Sequence, residues 1–346
     1  MDQLLTPPHR VAHGMCIVNG IRDLIDWRSG RDWSNEFVFG LGQGSGFAYI
    51  RAKIAKPPRQ VYWGMATSRQ HEYLAQLLGA DYTVIENRTF KFAWNKVREA
   101  VNAGTLPVLG PLDMFHLPYY ENIYHKQHIP IHYVLLVGYN DQNAYIHDTD
   151  KGSVQAIPLD ELELSWNVNV PALGKKNRLM TFDIPKTLAP NDVLIRKSIT
   201  DKCQTMLHPP VNMLGIPGMK KLAHEIIHWP DELGGQTTVA CLLQVREYLN
   251  TPPDITGNHL TAARELYIAF LQEAGPMAGL DFTNPIAHLH ESMGVIPQLA
   301  HAIQQGELEE AAHCIRQVAE FETKAYTAFS ELVARAVCVI ETRNAA

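Results

Sequence analysis

The chain has 346 residues, 46% of them hydrophobic and 19% charged, with a formal net charge of −6. That composition suits one large or two ordinary globular domains and argues against a nucleic-acid partner, which needs a basic surface. No apolar run approaches the roughly 18 residues of a membrane span, and Met1 to Arg10 lacks the apolar stretch of a secretory signal, so no membrane partner is expected.

In chain order, Ile17, Ile21, Leu24 and Ile25 make a helical stripe just after Cys16. Val61–Met65 reads as a strand, and Ser68–Leu78 as a helix capped by Ser68 and ended by Gly79. Tyr82–Glu86 is a strand, Phe90–Ala103 a helix closed by Gly104, and Leu106–Leu109 a buried strand. Tyr133–Tyr139 and Ala144–Asp148 form a hairpin, with turn chemistry from Asn140 to Asn143. Ser153–Ile157 and Arg178–Phe182 are further strands. After Pro185 and Pro190 the strand signals fade. Helical spacing takes over in Met219–Ile227, Val239–Leu249, Ala262–Leu271, Val295–Ile303 and Leu308–Val339. The expectation is an α+β domain over 1–187 followed by an α-helical domain over 188–346.

Five scattered cysteines, Cys16, Cys203, Cys241, Cys314 and Cys338, form no CxxC pair, which fits a reducing cytoplasm. His125, His128 and His132 are spaced like metal ligands, but Pro130 interrupts any common helical face, so no metal and no cofactor are expected. Gly40, Gly42, Gly44 and Gly46 alternate in one segment. A dinucleotide loop would need a strand before it and a helix after it, which the flanks do not supply. A loop with positive φ, or a wall where backbone comes close to something, is the plainer reading. Arg51, Lys53, Lys56 and Arg59, and again Lys175, Lys176 and Arg178, read either as solvated loops or as docking points for an acidic carrier or a phosphate.

The candidate chemistry starts at Cys16. A thiol at a helix start gains the free amides and partial positive charge of that terminus, and its own amide can donate to an oxyanion. His132 opens an apolar strand and Asp148 closes the return strand, so the hairpin brings them roughly opposite each other. A carboxylate there fixes the imidazole tautomer; Asp150 is a rival for the role. An early thiol followed by a His and an acid on paired strands is the layout of a papain-like cysteine enzyme.

These residues also carry a family likeness. Cys16-Ile-Val-Asn-Gly-Ile-Arg-Asp-Leu24, Asn35-Glu-Phe-Val-Phe-Gly-Leu-Gly42 and Gly44-Ser-Gly-Phe47 resemble the N-terminal domain of the butirosin biosynthesis protein H family. So do Pro107-Val-Leu109, Asp113, Leu117-Pro-Tyr119 and the hairpin from His132 through Gly138-Tyr139 to Asp148. The second half, above all Arg264 to Ala274, resembles the helical domain of unknown function that often follows. The resemblance implies a papain-like acyltransferase that moves an aminoacyl group from an acyl carrier protein thioester onto an amine. Cys16 would take the acyl group, His132 would be the base and Asp148 its orienter. No Gln lies between Pro7 and Cys16, where papain-like enzymes place an oxyanion donor. His13, Gln43 and Gly44 are the candidates for the oxyanion hole or for substrate binding.

The leading expectation is therefore a cytoplasmic acyltransferase of natural-product biosynthesis. It would take an acyl or aminoacyl group from an acyl carrier protein or coenzyme A thioester, hold it on Cys16, and pass it to a small-molecule amine or hydroxyl. A thiol hydrolase (peptidase, amidase or thioesterase), a Dieckmann-type cyclase and an idle papain-like binding module are the alternatives. Trp229, Tyr267 and Glu273 of the helical half are expected to line an acceptor pocket.

Overall fold

The computed structural model describes residues 3–63, 68–250 and 260–344. The chain forms two compact units, Met1–Val38 with Thr67–Ala189, and Phe39–Ala66 with Pro190–Ala346. An α+β unit and a mainly helical unit are present, as the sequence suggested. They are not the contiguous halves 1–187 and 188–346, because segment 39–66 clusters with the helices.

The first unit is built on an antiparallel sheet in the order β4 (Asp81–Ile85), β9 (Leu179–Asp183), β5 (Val108–Leu112), β6 (His132–Tyr139), β7 (Asn143–His147) and β8 (Gln155–Pro158). A two-residue strand, β1 (Gln3–Leu4), pairs with β6 at Gly138 and Tyr139. All eight residues of β6 are buried, so polar alternation is absent from its sequence. The cause is a covered sheet with two dry faces. On one face Val134 and Leu136 join Trp94, Val97 and Val101 of α4 (Phe90–Asn102) and Leu162 and Trp166 of α5 (Leu159–Trp166) in one core. On the other face helix α1 (Cys16–Ser29) lies so close that a Cβ on Gly20 would sit 3.1 Å from Leu135 Cβ. Val18, Ile21, Leu24 and Ile25 are the buried apolar residues of that helix. It stops at Gly30, whose left-handed φ of 69° lets its N–H return to the Asp26 carbonyl.

In the second unit, β2 (Phe47–Arg51) and β3 (Arg59–Trp63) pair as an antiparallel hairpin. Phe47, Tyr49, Val61 and Trp63 are its buried apolar residues. Tyr49 N–H donates to Met213 O, and the Gln244 amide bonds both the N–H and the carbonyl of Val61. This apolar face and these backbone bonds explain why the hairpin sides with the helices. The helices are α6 (Asn191–Leu207), α7 (Gly215–Glu225), α8 (Trp229–Leu233), α9 (Gly235–Asn250), α10 (Leu260–Ala278), α11 (Thr283–Gln305) and α12 (Leu308–Asn344). None of the described helices is long and apolar enough to cross a membrane.

The glycine-rich segment follows helix α2 (Asn35–Leu41) and precedes β2, the reverse of a dinucleotide-binding order. Two of its glycines, Gly40 and Gly44, serve close packing, while Gly46 faces open space. A Cβ on Gly40 would fall 2.0 Å from the Phe270 ring, and one on Gly44 2.6 Å from the Phe39 ring.

Candidate active site

Three sequence features place a thiol at the front of α1. Gly14 takes a φ of 72°, Met15 N–H returns to Ala12 O, and the helix begins at Cys16. In this first turn the Val18 and Asn19 amides return to Met15 O, which leaves the Cys16 and Ile17 amides at the open end of the helix. Ala12 is in turn fixed by the loop after β7: its N–H donates to Thr149 O, and Thr149 Oγ1 donates to its carbonyl at 2.5 Å. The Cys16 side chain is partly buried, with Sγ 4.0 Å from Ile131 O, the residue just before His132.

His132 opens β6 opposite Leu112 of β5, and its ring is buried. Its Nε2 lies 2.6 Å from Asp148 Oδ2. That leaves Nδ1 as the nitrogen available to Cys16, which is near enough to help raise the ring's pKa. Burial disfavours the imidazolium, but the charge and hydrogen bond of Asp148, with help from Cys16, outweigh it and hold the His132 pKa well above its ordinary value. A charged imidazolium beside Sγ is the counter-ion that a nucleophilic thiolate needs.

Asp148 follows directly on β7 and is fully buried. Burial alone would neutralise it, yet its pKa is pulled down to about 2 by the His132 charge and by hydrogen bonds from His132, Tyr119 and Tyr120. Tyr119 donates to Oδ2 and Tyr120 to Oδ1, both at 2.7 Å, and the Asp150 N–H adds a third donor at 3.1 Å. Burial, together with the charge of Asp148, raises both tyrosine pKa values and keeps the hydroxyls protonated. Asp148 is thus the orienter. Its rival Asp150 takes Tyr120 at 2.8 Å and His13 at 3.0 Å.

A second layer ties the Asp148 loop to the Cys16 helix. His9 Nε2 faces two carbonyls, Lys151 O at 2.9 Å and Asp148 O at 3.1 Å, while Nδ1 lies 2.6 Å from Asp23 Oδ2 on α1. Every partner accepts, so both ring nitrogens carry protons. Burial opposes that charge, and Asp23 more than restores it, so the His9 pKa is raised. Asp23, pushed up by burial, is brought below its ordinary value by His147 at 3.6 Å and by hydrogen bonds from His9 and Arg22. On the opposite side of α1, His71 donates Nε2–H to Ile17 O at 2.7 Å; full burial lowers its pKa to about 4 and keeps it neutral.

Other residues expected at the site lie elsewhere. Gln43 belongs to the helical unit, donates its side-chain amide to Ser198 O at 2.8 Å, and uses its backbone N–H on Gly40 O. The Gly44 N–H goes to Phe39 O. These bonds hold both residues within that unit and point to packing there rather than to the oxyanion role expected from sequence. His13 is 81% exposed at its side chain and bonds Asp150, which leaves the Cys16 amide as the oxyanion donor best placed by its own position. Trp229 and Tyr267 are buried in the core of the helical unit. The Arg51, Arg59 and Arg178 side chains pair with Glu225, Glu232 and Glu86. His128 pairs with Asp113 and His132 with Asp148, which breaks up the histidine run.

Sequence reasoning missed the supporting contacts of Tyr119, Tyr120, His9 and Asp23. The adjacent tyrosine pair, one turn after a strand and just ahead of the base, was the available signal.

A thiol, an imidazole and a carboxylate in this order are the groups that a papain-like cysteine enzyme uses. No curated protein matches the chain. A C39-like peptidase from Bacillus anthracis is 14% identical, with 53% of this chain and 97% of that one covered and a TM-score of 0.35. Residues 160–329 match the family described as "Domain of unknown function (DUF4872)". Residues 15–149, which hold Cys16, His132 and Asp148, match the family described as "Butirosin biosynthesis protein H, N-terminal".

Proposed function

We propose that this protein is a cysteine acyltransferase of natural-product biosynthesis. The observation that carries the reading is the set of partly buried Cys16 and buried His132 and Asp148, within a segment that matches the butirosin biosynthesis protein H N-terminal family. Cys16 thiolate attacks the carbonyl carbon of a carrier-protein or coenzyme A thioester. The oxyanion forms beside the Cys16 amide. The carbon–sulfur bond to the carrier breaks, and the departing thiolate takes the His132 proton. An amine or hydroxyl acceptor then attacks the acyl-Cys16 thioester while neutral His132 accepts its proton. Cys16 leaves as thiolate, and the imidazolium is restored.

The test is intact-protein mass spectrometry after incubation with acyl carrier and coenzyme A thioesters. A mass gain on Cys16, absent from Cys16→Ala and discharged by an amine with formation of the amide, supports transfer. Release of free acid alone, at a rate indifferent to every acceptor, identifies a thiol hydrolase instead. Absence of any acyl-enzyme and any thioester turnover identifies an idle scaffold.

A further inference from the structure

Glu161 stands in the first turn of α5 and draws in three side chains from the segment between β5 and β6. His116 Nδ1 lies 2.9 Å from one carboxylate oxygen; His125 Nε2 at 3.2 Å and the Tyr124 hydroxyl at 2.9 Å meet the other. The two imidazole nitrogens and the carboxylate lie within 4.8 Å of one another. The rings are held in place before any ligand arrives. The Tyr124 ring stacks on His125 at 3.9 Å, and Phe115 packs on His125 at 5.2 Å and on His116 at 4.9 Å. His125 takes a φ of 54° so that its N–H can reach Phe115 O at 2.9 Å.

We propose that His116, His125 and Glu161 form a zinc-binding site. Two imidazoles and one carboxylate are a donor set for a borderline ion such as Zn²⁺, whereas Ca²⁺ and Mg²⁺ take oxygen ligands. Bonds of about 2.0 to 2.1 Å to a tetrahedral ion put ligand atoms roughly 3.3 Å apart. The 2.9 and 3.2 Å separations are therefore a few tenths of an ångström short of that spacing. The half-exposed His125 gives the ion a way in and leaves room for water as fourth ligand. Tyr124 keeps its bond to the carboxylate and orients it from outside the coordination sphere. None of the three ligands belongs to the triad. Between His116 and His125 lie Tyr119 and Tyr120, so an ion here would pin to α5 the segment whose hydroxyls hold Asp148.

The experiment uses the full-length, metal-stripped Cys16→Ala protein, which removes the active-site thiol as a competing ligand, titrated with zinc chloride in a calorimeter. One equivalent is expected to bind at micromolar or tighter affinity and to raise the melting temperature. His125→Ala, a substitution at a half-exposed position that leaves the core intact, and Glu161→Gln should each weaken binding by about a hundredfold, in line with the sensitivity of metal sites to loss of a supporting group. Melting curves without zinc show whether each variant is folded. Binding of unchanged strength in both folded variants, or no binding tighter than about 100 μM in the parent, overturns the assignment; the scale is set against the much tighter structural zinc sites.

Discussion

His9 donates a ring N–H to the main-chain carbonyl of Asp148 at 3.1 Å, across 139 residues of sequence. Its other nitrogen is bound to Asp23 in the middle of the helix that Cys16 begins. The same imidazole therefore holds the acid of the triad in register with the nucleophile, without touching either reacting atom. The groups facing it are Asp23, the stacked His147 ring at 4.2 Å, Arg22 beyond Asp23, and the Asp148–Lys151 loop.

This clamp has a pH window. The His9 pKa is raised above 6.5 in the folded protein, so its contribution is fully present below that value and is lost as pH rises through the folded pKa. The Asp23 pKa is lowered, so its contribution is present above about 3.8, the usual value, and is lost as pH falls through the folded one. His9→Gln should flatten the alkaline loss of stability seen in the parent. It should also lower the melting temperature at neutral pH, since a buried charged hydrogen bond is worth about 1.5 to 3 kcal/mol. Thermal unfolding from neutral to mildly alkaline pH is the measurement. Parallel profiles for the two proteins would remove His9 from this role.

The tyrosine pair gives a kinetic prediction. Each hydroxyl donates at 2.7 Å to a buried carboxylate that also orients His132. Tyr119→Phe and Tyr120→Phe should each raise the Asp148 pKa from about 2 and move the acid limb of the kcat/KM profile to higher pH. Loss of about 1.5 kcal/mol of support corresponds to roughly tenfold in rate. Tyr120 also binds Asp150, so its loss should disturb His13 as well. An acid limb that stays in place in both variants would show that the hydroxyls are only space-filling.

The triad itself can be ranked. Cys16→Ala should abolish acyl-enzyme formation with the fold retained. His132→Ala should cost about 10² to 10⁴ in turnover, the range of a general base. Asp148→Asn should cost less, because the amide keeps the shape and the tyrosine contacts while losing the charge that sustains the imidazolium. The other four cysteines are expected to be dispensable; among them Cys203, Cys241 and Cys314 are buried, and burial raises each pKa, to about 12 for Cys203 and about 11 for Cys314. Thioester turnover by purified single variants, with far-ultraviolet circular dichroism as the folding control, is the check. Full turnover by Cys16→Ala would end the covalent mechanism.

The parts of this site that were legible in the sequence are those whose chemistry coincides with a local boundary. Cys16 starts a helix, His132 starts a strand and Asp148 follows one, so residue type and position point together. The supporting groups lack such a mark. Tyr119 and Tyr120 lie in irregular backbone, and His9 acts across more than a hundred residues, so only the closed fold assigns them. Gln43 and Gly44 misled for the opposite reason. Their alternating glycines imply a close approach, which is real, but the approaching groups are Phe270 and Phe39. The β2–β3 hairpin shows the same limit at a larger scale: its apolar pattern is visible in the chain, whereas the helices it pairs with arrive 150 residues later.

The glycine-rich segment supplies the last prediction, and it concerns stability alone. A methyl group at Gly40 would sit 2.0, 2.3 and 2.5 Å from three atoms of Phe270, a fully buried ring in the helical unit. Those atoms include the ring's own Cγ and Cβ, so a change of rotamer does not clear them. Helix α10 or the end of α2 must shift instead. Overpacking of this kind costs about 1 to 3 kcal/mol. Gly40→Ala should therefore lower the urea midpoint of the protein, and should cost less in a Phe270→Ala background, where Cγ and the rest of the ring are gone. The pair of residues is in contact, so the double variant should be clearly non-additive. Equal and additive losses would mean that the ring has another way to move, and that the glycine is not required for the packing seen here.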